Sequence, residues 1–333
     1  MNDLNGAAVT VEHLGKSFDD LVAVDDVSFE VAVGESFGFL GPNGAGKSTT
    51  INILCTLLTP TLGHATVAGF DVVRQAADVR RHIGLVFQDP TLDEYLTAEE
   101  NLRFHAELYG VPRETAEQRL RDVLEMVELW ERRASVVATF SGGMRRRLEI
   151  ARGLLHSPRV LFLDEPTVGL DPQTRAHIWE YIEELRRREA ITIFLTTHYM
   201  EEAEHCDRIA IIDHGKIVAM DSPDALKAKV GRDRIELRTA DDDDAMSQLR
   251  DRLDLEPTIA EGAVRFYVRD GDAFVPRLFA ALTVPILSVS LAHPTLDDVF
   301  MHYTGRTIRD SEASSSERLA SHPFVRRRMG ARR

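Results

Sequence analysis
The sequence predicts an α/β fold: a mostly parallel, helix-covered sheet, followed by a small α+β unit. Apolar segments such as IGLVF (83–87), RVLFLDE (159–165), ITIFLTT (191–197) and RIAIID (208–213) read as buried strands. Amphipathic stretches separate them, among them TAEENLRFHAELYG (97–110) and TRAHIWEYIEELRRR (174–188). Strands that alternate with helices are joined by crossovers, and crossovers make parallel sheets. After GKIVAMDSP (215–223) the texture changes, which sets the expected boundaries at 1–222, 223–305 and a tail, 306–333.

In chain order, VAVDDVSFEVAVGESFGFL (22–40) alternates and then turns wholly apolar, the pattern of a half-buried strand followed by a fully buried one. GPNGAGKS (41–48) follows directly, then the helical run TTINILCTLL. Beyond 223, DALKAKV reads as a short helix, VRFYV (264–268) and ILSVSLA as strands, AFVPRLFAAL as a helix, and TLDDVFMHYTG (295–305) closes the unit. DDDD (241–244) admits a metal site, but a solvated turn or helix N-terminus is the favoured reading. The tail is polar and then basic; disorder is expected there, with contact to anionic lipid as the lesser alternative.

Bulk properties narrow the class. The formal net charge of -14 argues against a general nucleic-acid binder, which needs a basic surface to neutralise phosphate. Two distant cysteines, Cys55 and Cys206, suit a reducing cytosol and give no disulfide framework. The N-terminus, with early acids and no long apolar run, is not a signal peptide. The longest apolar run, 278–292, is too short to span a bilayer and contains Pro285.

Chemistry concentrates in three places. GPNGAGKST (41–49) fits the phosphate-binding pattern G-x-x-x-x-G-K-[ST]: Gly41, Pro42, Asn43, Gly44, Ala45, Gly46, Lys47, Ser48 and Thr49. Its glycines let successive N–H groups face a β-phosphate, Lys47 would bridge the β- and γ-phosphates, and the Ser48 hydroxyl would ligate Mg²⁺. Only five lysines stand against 35 arginines, so a lysine at position 47 marks a place where a compact ammonium is needed. VLFLDE (160–165) ends in two acids: Asp164 would hold Mg²⁺ through water, and Glu165 would polarise an attacking water as general base. TFSGGMRRRLEIAR (139–152) reads as a helix start, and Ser141, Gly142 and Gly143 form a second anion site.

Together with Gln88 in LVFQDP, LDEP, GLD (169–171) and TTH (196–198), these motifs resemble the nucleotide-binding subunit of an ATP-binding-cassette (ABC) transporter over residues 8–220. The resemblance implies the ABC-type P-loop NTPase fold, with an antiparallel β subdomain and a helical subdomain added to the main sheet. It implies ATP and Mg²⁺ as cofactors, and it gives roles by position. Gln88 would sense Mg²⁺ and contact a membrane partner; His198 would hydrogen-bond the γ-phosphate; Asp171 would lie in the loop that communicates across a dimer. Phe18 occupies the place of the adenine-stacking aromatic, with plain strand packing as its alternative. Phe140 and Met144 depart from the usual Leu and Gln of the signature. His198, His205 and Cys206 are not read as a metal site, because His198 ends a strand and the other two sit on the next helix.

One P-loop holds one ATP, so the resemblance assigns the Ser141–Gly143 site to the ATP of a second copy, packed head to tail. The stretches 56–72 and 288–306 are similar to daunorubicin-type resistance exporters. This implies an ATPase on the cytoplasmic face of the plasma membrane, held by separate permease subunits, that drives drug efflux. Export of lipid or polysaccharide, a soluble cassette ATPase, and a nucleotide-sensing scaffold without turnover are the alternatives. Glu165 speaks against the last.

Overall fold
In the computed structural model, residues 6–89, 91–260 and 263–305 are described; the tail expected to be disordered lies outside them. They form two units, one ending at Ser222 and one beginning at Pro223.

β1 (Val9–Phe18) and β2 (Leu21–Val31) pair antiparallel, and β3 (Ser36–Leu40) is buried at every position. α1 (Lys47–Leu54) follows the P-loop; it ends four residues before the expected run does, and Thr56 turns the chain at φ 64°. β4 (Leu62–Val67) and β5 (Phe70–Asp71) join β1 and β2 in an antiparallel sheet of order β2-β1-β4-β5. After α2 (Ala76–His82) and β6 (Ile83–Val86) come three helices packed on one another: α3 (Ala98–Leu108), α4 (Arg113–Met126) and α5 (Gly142–Leu154). Thr97 opens α3 with a capping box to Glu100.

The chain then runs through β7 (Val160–Asp164), α6 (Pro172–Glu189), β8 (Thr192–Thr197), α7 (Met200–Ala203), β9 (Arg208–Asp213) and β10 (Lys216–Asp221). The main sheet has the order β10-β9-β3-β8-β7-β6. All its pairs are parallel except the β9–β10 hairpin. The expected parallel sheet, antiparallel β part and helical part are all present. Phe194 on β8 holds the core together, with its ring 5.4–5.9 Å from those of Phe29, Phe37, Phe39 and Phe162.

The second unit contains α8 (Pro223–Val230), β11 (Asp233–Thr239), α9 (Asp242–Leu253), β12 (Thr258–Ala260), β13 (Ala263–Val268), α10 (Gly271–Ala281), β14 (Ile286–Ala292) and α11 (Leu296–Thr304). β11 to β14 form a split βαββαβ sheet of order β12-β13-β11-β14. One face, carrying Ile235, Leu237, Val264 and Phe266, packs with Leu249 of α9 and Leu278 of α10. The DDDD run caps α9: Asp241 accepts from the Asp244 N–H, and Asp242 accepts from the Thr239 N–H. α8 and α11 pack together, with Leu226, Val299 and Phe300 fully buried.

Removing the ring that touches four others leaves a void that the surrounding sheet cannot refill. Phe194→Ala is expected to lower unfolding free energy by about 3–5 kcal/mol, read from the urea midpoint with the slope unchanged.

Candidate active site
The P-loop leaves β3 at Leu40 and enters α1 at Lys47. Gly46 has φ 110°, and a Cβ there would stand 2.5 Å from the Ala23 carbonyl oxygen, so only glycine fits. α1 has no side-chain cap, which leaves its N-terminal N–H groups for an anion. Lys47, buried, donates from Nζ to the Gly41 carbonyl at 2.7 Å and the Pro42 carbonyl at 3.2 Å. These bonds aim the ammonium across the loop toward the end of β7.

There Asp164 and Glu165 complete the arrangement. The Ser48 Oγ donates to Asp164 Oδ1 at 3.4 Å, and the Thr196 hydroxyl donates to the same oxygen at 2.5 Å. Burial pushes the Asp164 carboxyl above its usual range; the Thr196 bond opposes this and the Glu165 charge adds to it. Glu165 takes a left-handed φ of 46°, strain of the kind that collects at functional sites. This turn sets Oε1 3.2 Å from Lys47 Nζ and 3.3 Å from His198 Nδ1. Burial works against the Glu165 charge, but the His198 ring and the Lys47 ammonium beside it outweigh burial and hold the carboxyl below its usual range. His198 Nδ1 is itself buried and reaches no aligned hydrogen-bond partner among the described residues.

The structure thus brings Lys47, Ser48, Asp164, Glu165 and His198 together. Gln88 lies exposed just past β6, one strand over, and among the described residues no hydrogen bond joins it to Ser48 or Asp164. Phe18 ends β1, 42% exposed, with Lys16 Nζ 5.0 Å from the centre of its ring. Asp171 caps α6, accepting from the Thr174 N–H at 3.0 Å and its hydroxyl at 2.6 Å, which holds its carboxyl low. Ser141, Gly142 and Gly143 open α5 as expected. The Ser141 hydroxyl accepts from the Met144 N–H at 3.3 Å, and the two glycines lie against Leu170 and Thr174. His205 stacks on Trp179, while α7 ends at Ala203, so neither His205 nor Cys206 is on that helix; the expected helical placement is corrected here.

Sequence reasoning missed Arg146. Buried in α5, it donates to the carbonyls of Phe87, Asp164, Glu165 and Pro166 and pairs with Glu149 at 3.0 Å. It therefore ties the start of the Gln88 loop to the acidic strand end. The run RRR hides it as one more solvated charge, although Arg146, Glu149 and Ile150 share one helical face. Thr167 and Glu202, also missed, form a buried bond between the segment after β7 and α7.

Gly143 lets α5 approach α6, since a Cβ there would stand 2.5 Å from Thr174 Cγ2. Gly143→Ala should cost about 1–3 kcal/mol by overpacking. Thr174→Ser in the same chain removes that methyl, keeps the hydroxyl on Asp171 and should restore most of the loss in a denaturant double-mutant cycle.

Comparisons with known proteins agree with this geometry. The family described as ABC transporter matches residues 24–168, and the family described as ATP-binding protein DrrA1-3-like, C-terminal domain, matches residues 222–304. The linearmycin resistance ATP-binding protein LnrL of Bacillus subtilis (strain 168) is 39% identical over 308 residues, 90% of this chain and 99% of that protein. The daunorubicin resistance ATP-binding protein DrrA2 of Streptomyces coeruleorubidus is also 39% identical, over 94% of this chain and 100% of its own length. A dimeric post-hydrolysis structure of the ATP-binding cassette MJ0796 with ADP and Pi superposes at TM-score 0.58 and 29% identity, covering 64% of this chain and 98% of that one. The chain belongs to the ATP-binding subunits of ABC transporters and is an ATPase of that family.

Proposed function
We propose that this protein, peripheral on the cytoplasmic face of the plasma membrane, powers a separate drug-exporting permease. The convergence of Lys47, Ser48, Asp164, Glu165 and His198 carries this reading, and the resistance proteins LnrL and DrrA2 support the class of cargo. Residues 1–222 would be the ATPase domain, and 223–305 an accessory domain.

In the site, the P-loop N–H groups and Lys47 receive the β- and γ-phosphates. Ser48 and Asp164 offer two hard oxygen donors close together, a set that suits Mg²⁺. When bound, that ion would offset phosphate charge. Glu165 takes a proton from the attacking water, and His198 donates to the γ-phosphate. Phe18 offers its ring to the adenine, and Gln88 begins the loop next to the permease. Gly142 and Gly143 lie against Leu170 and Thr174; together with Ser141 they would serve the nucleotide of a second copy, with Asp171 at the same border. ATP then joins two copies, and hydrolysis parts them.

Lys47→Ala removes a charge and its hydrogen bonds from the phosphates. ATP affinity should fall on the order of 100-fold in calorimetry. Glu165→Gln spares binding but removes the base: turnover should fall about 10²–10⁴-fold. The same variant with ATP should elute as a dimer in light scattering, and a persistent monomer would count against the shared-nucleotide arrangement.

A further inference from the structure
Glu165 and His198 stand side by side without a bond that fixes their distance. Their facing atoms, Oε1 and Nδ1, are 3.3 Å apart, and Nδ1 has no aligned hydrogen-bond partner among the described residues. The two residues follow different strands, β7 and β8. The sheet carries them only so far. The Glu165 N–H donates to the Thr196 carbonyl at 3.1 Å, and Pro166, the next residue, has no N–H to extend the ladder. A working pair must be held to within about 0.5 Å of its geometry, so a third group has to set the spacing.

Glu202, in the single turn of α7, is placed to do this. It is 1% exposed, and its Oε1 accepts from the buried Thr167 hydroxyl, two residues past Glu165. Burial pushes the Glu202 carboxyl above its usual range; the Thr167 hydroxyl and then the Thr197 hydroxyl oppose this. Thr197 is the residue before His198. Its Oγ accepts from the Tyr199 N–H at 2.9 Å, which shapes the turn that carries His198 and leaves its own proton to point at the carboxylate. One acid thus meets the segment after the base and the segment before the switch histidine. Packing alone does not account for it. Glu202 Oε2 is buried without a partner among the described residues, and a half-satisfied buried carboxylate costs stability that an apolar side chain would not. Arg175, whose charge also acts on it, stacks on Tyr199 at 4.0 Å and pairs with Glu201 at 3.7 Å instead.

We propose that Glu202 is a positioning residue for hydrolysis: through Thr167 and Thr197 it sets the spacing of Glu165 and His198. It acts through these residues and is not itself catalytic. The inference rests on the roles proposed above for Glu165 and His198.

The test measures kcat for ATP and, by calorimetry, ATP affinity on the full chain. Glu202→Ala should lower kcat by about tenfold or more and leave affinity within about twofold, the split that a displaced catalytic pair produces. Glu202→Gln keeps an acceptor for the Thr167 hydroxyl and should recover most of the loss. Thr167→Val replaces that hydroxyl by a methyl of similar shape, should lower kcat in the same direction, and keeps the test open if Glu202→Ala fails to fold. In a His198→Ala chain the spacing no longer matters, so adding Glu202→Ala should cost less than about twofold more. Unchanged kcat in Glu202→Ala and Thr167→Val, a loss that appears in affinity instead, or a Glu202→Ala loss of equal size with and without His198 overturns the positioning role. If His198→Ala alone leaves kcat unchanged, the role given to His198 fails and the inference with it; a slow His198→Ala chain beside an indifferent Glu202→Ala removes the positioning role alone.

Discussion

The active site depends on the register of three parallel strands. Leu40 pairs with Thr197, and Asp164 with Thr196, so the ends of β3, β7 and β8 lie at one level although over a hundred residues separate the first from the others. Parallel strands end on the same edge, and side chains just past them meet in one crevice. Lys47, Glu165 and His198 follow those three ends. A slip of one residue in β7 would turn Asp164 to the other face and break its bonds to Ser48 and Thr196. The apolar interior therefore serves catalysis indirectly: burial on both faces, with Phe194 at its centre, fixes the register.

Electrostatics then differentiates two adjacent acids. Asp164 meets neutral hydroxyls, and burial raises its pKa; Glu165 meets the His198 ring and the Lys47 ammonium, and its pKa falls. The difference arises from backbone geometry, because the left-handed turn at Glu165 points its side chain away from the strand direction that Asp164 continues. A carboxylate that is charged at neutral pH and close to the γ-phosphate position can act as base. One that sits among hydroxyl oxygens is better suited to a divalent ion.

Much of this was legible in the sequence because the phosphate loop and VLFLDE are local patterns whose chemistry depends on neighbouring residues. The two-sided apolar strands gave the sheet away for the same reason: burial on both faces leaves no polar positions. Arg146 was not legible. Its role comes from four carbonyls on two distant segments, and in a run of three arginines nothing local distinguishes the buried one. Thr196 was hidden likewise, since a threonine in a strand is ordinary until Asp164 is known to lie opposite. The short α1 shows a different limit: apolar residues continue past Leu54, but the positive φ of Thr56 ends the helix.

The pairing of Glu165 with Lys47 and His198 bears on how the proposed cycle is timed. Lys47 and His198, the two groups beside the carboxylate, are the ones assigned to the γ-phosphate. A triphosphate carries more charge than one carboxylate and offers several acceptor oxygens, so it competes for Lys47 on favourable terms. As Lys47 turns to phosphate, Glu165 loses one partner in a buried setting, and losing a counter-charge raises its proton affinity. On the proposed roles, the base would become stronger when its substrate arrives. Departure of phosphate would return Lys47 to Glu165, the pairing seen without nucleotide, and lower that affinity again. On the proposed roles, this group would couple nucleotide occupancy to base strength, while Arg146, bonded to the carbonyls of both acids and of Phe87, ties the Gln88 loop to the strand end.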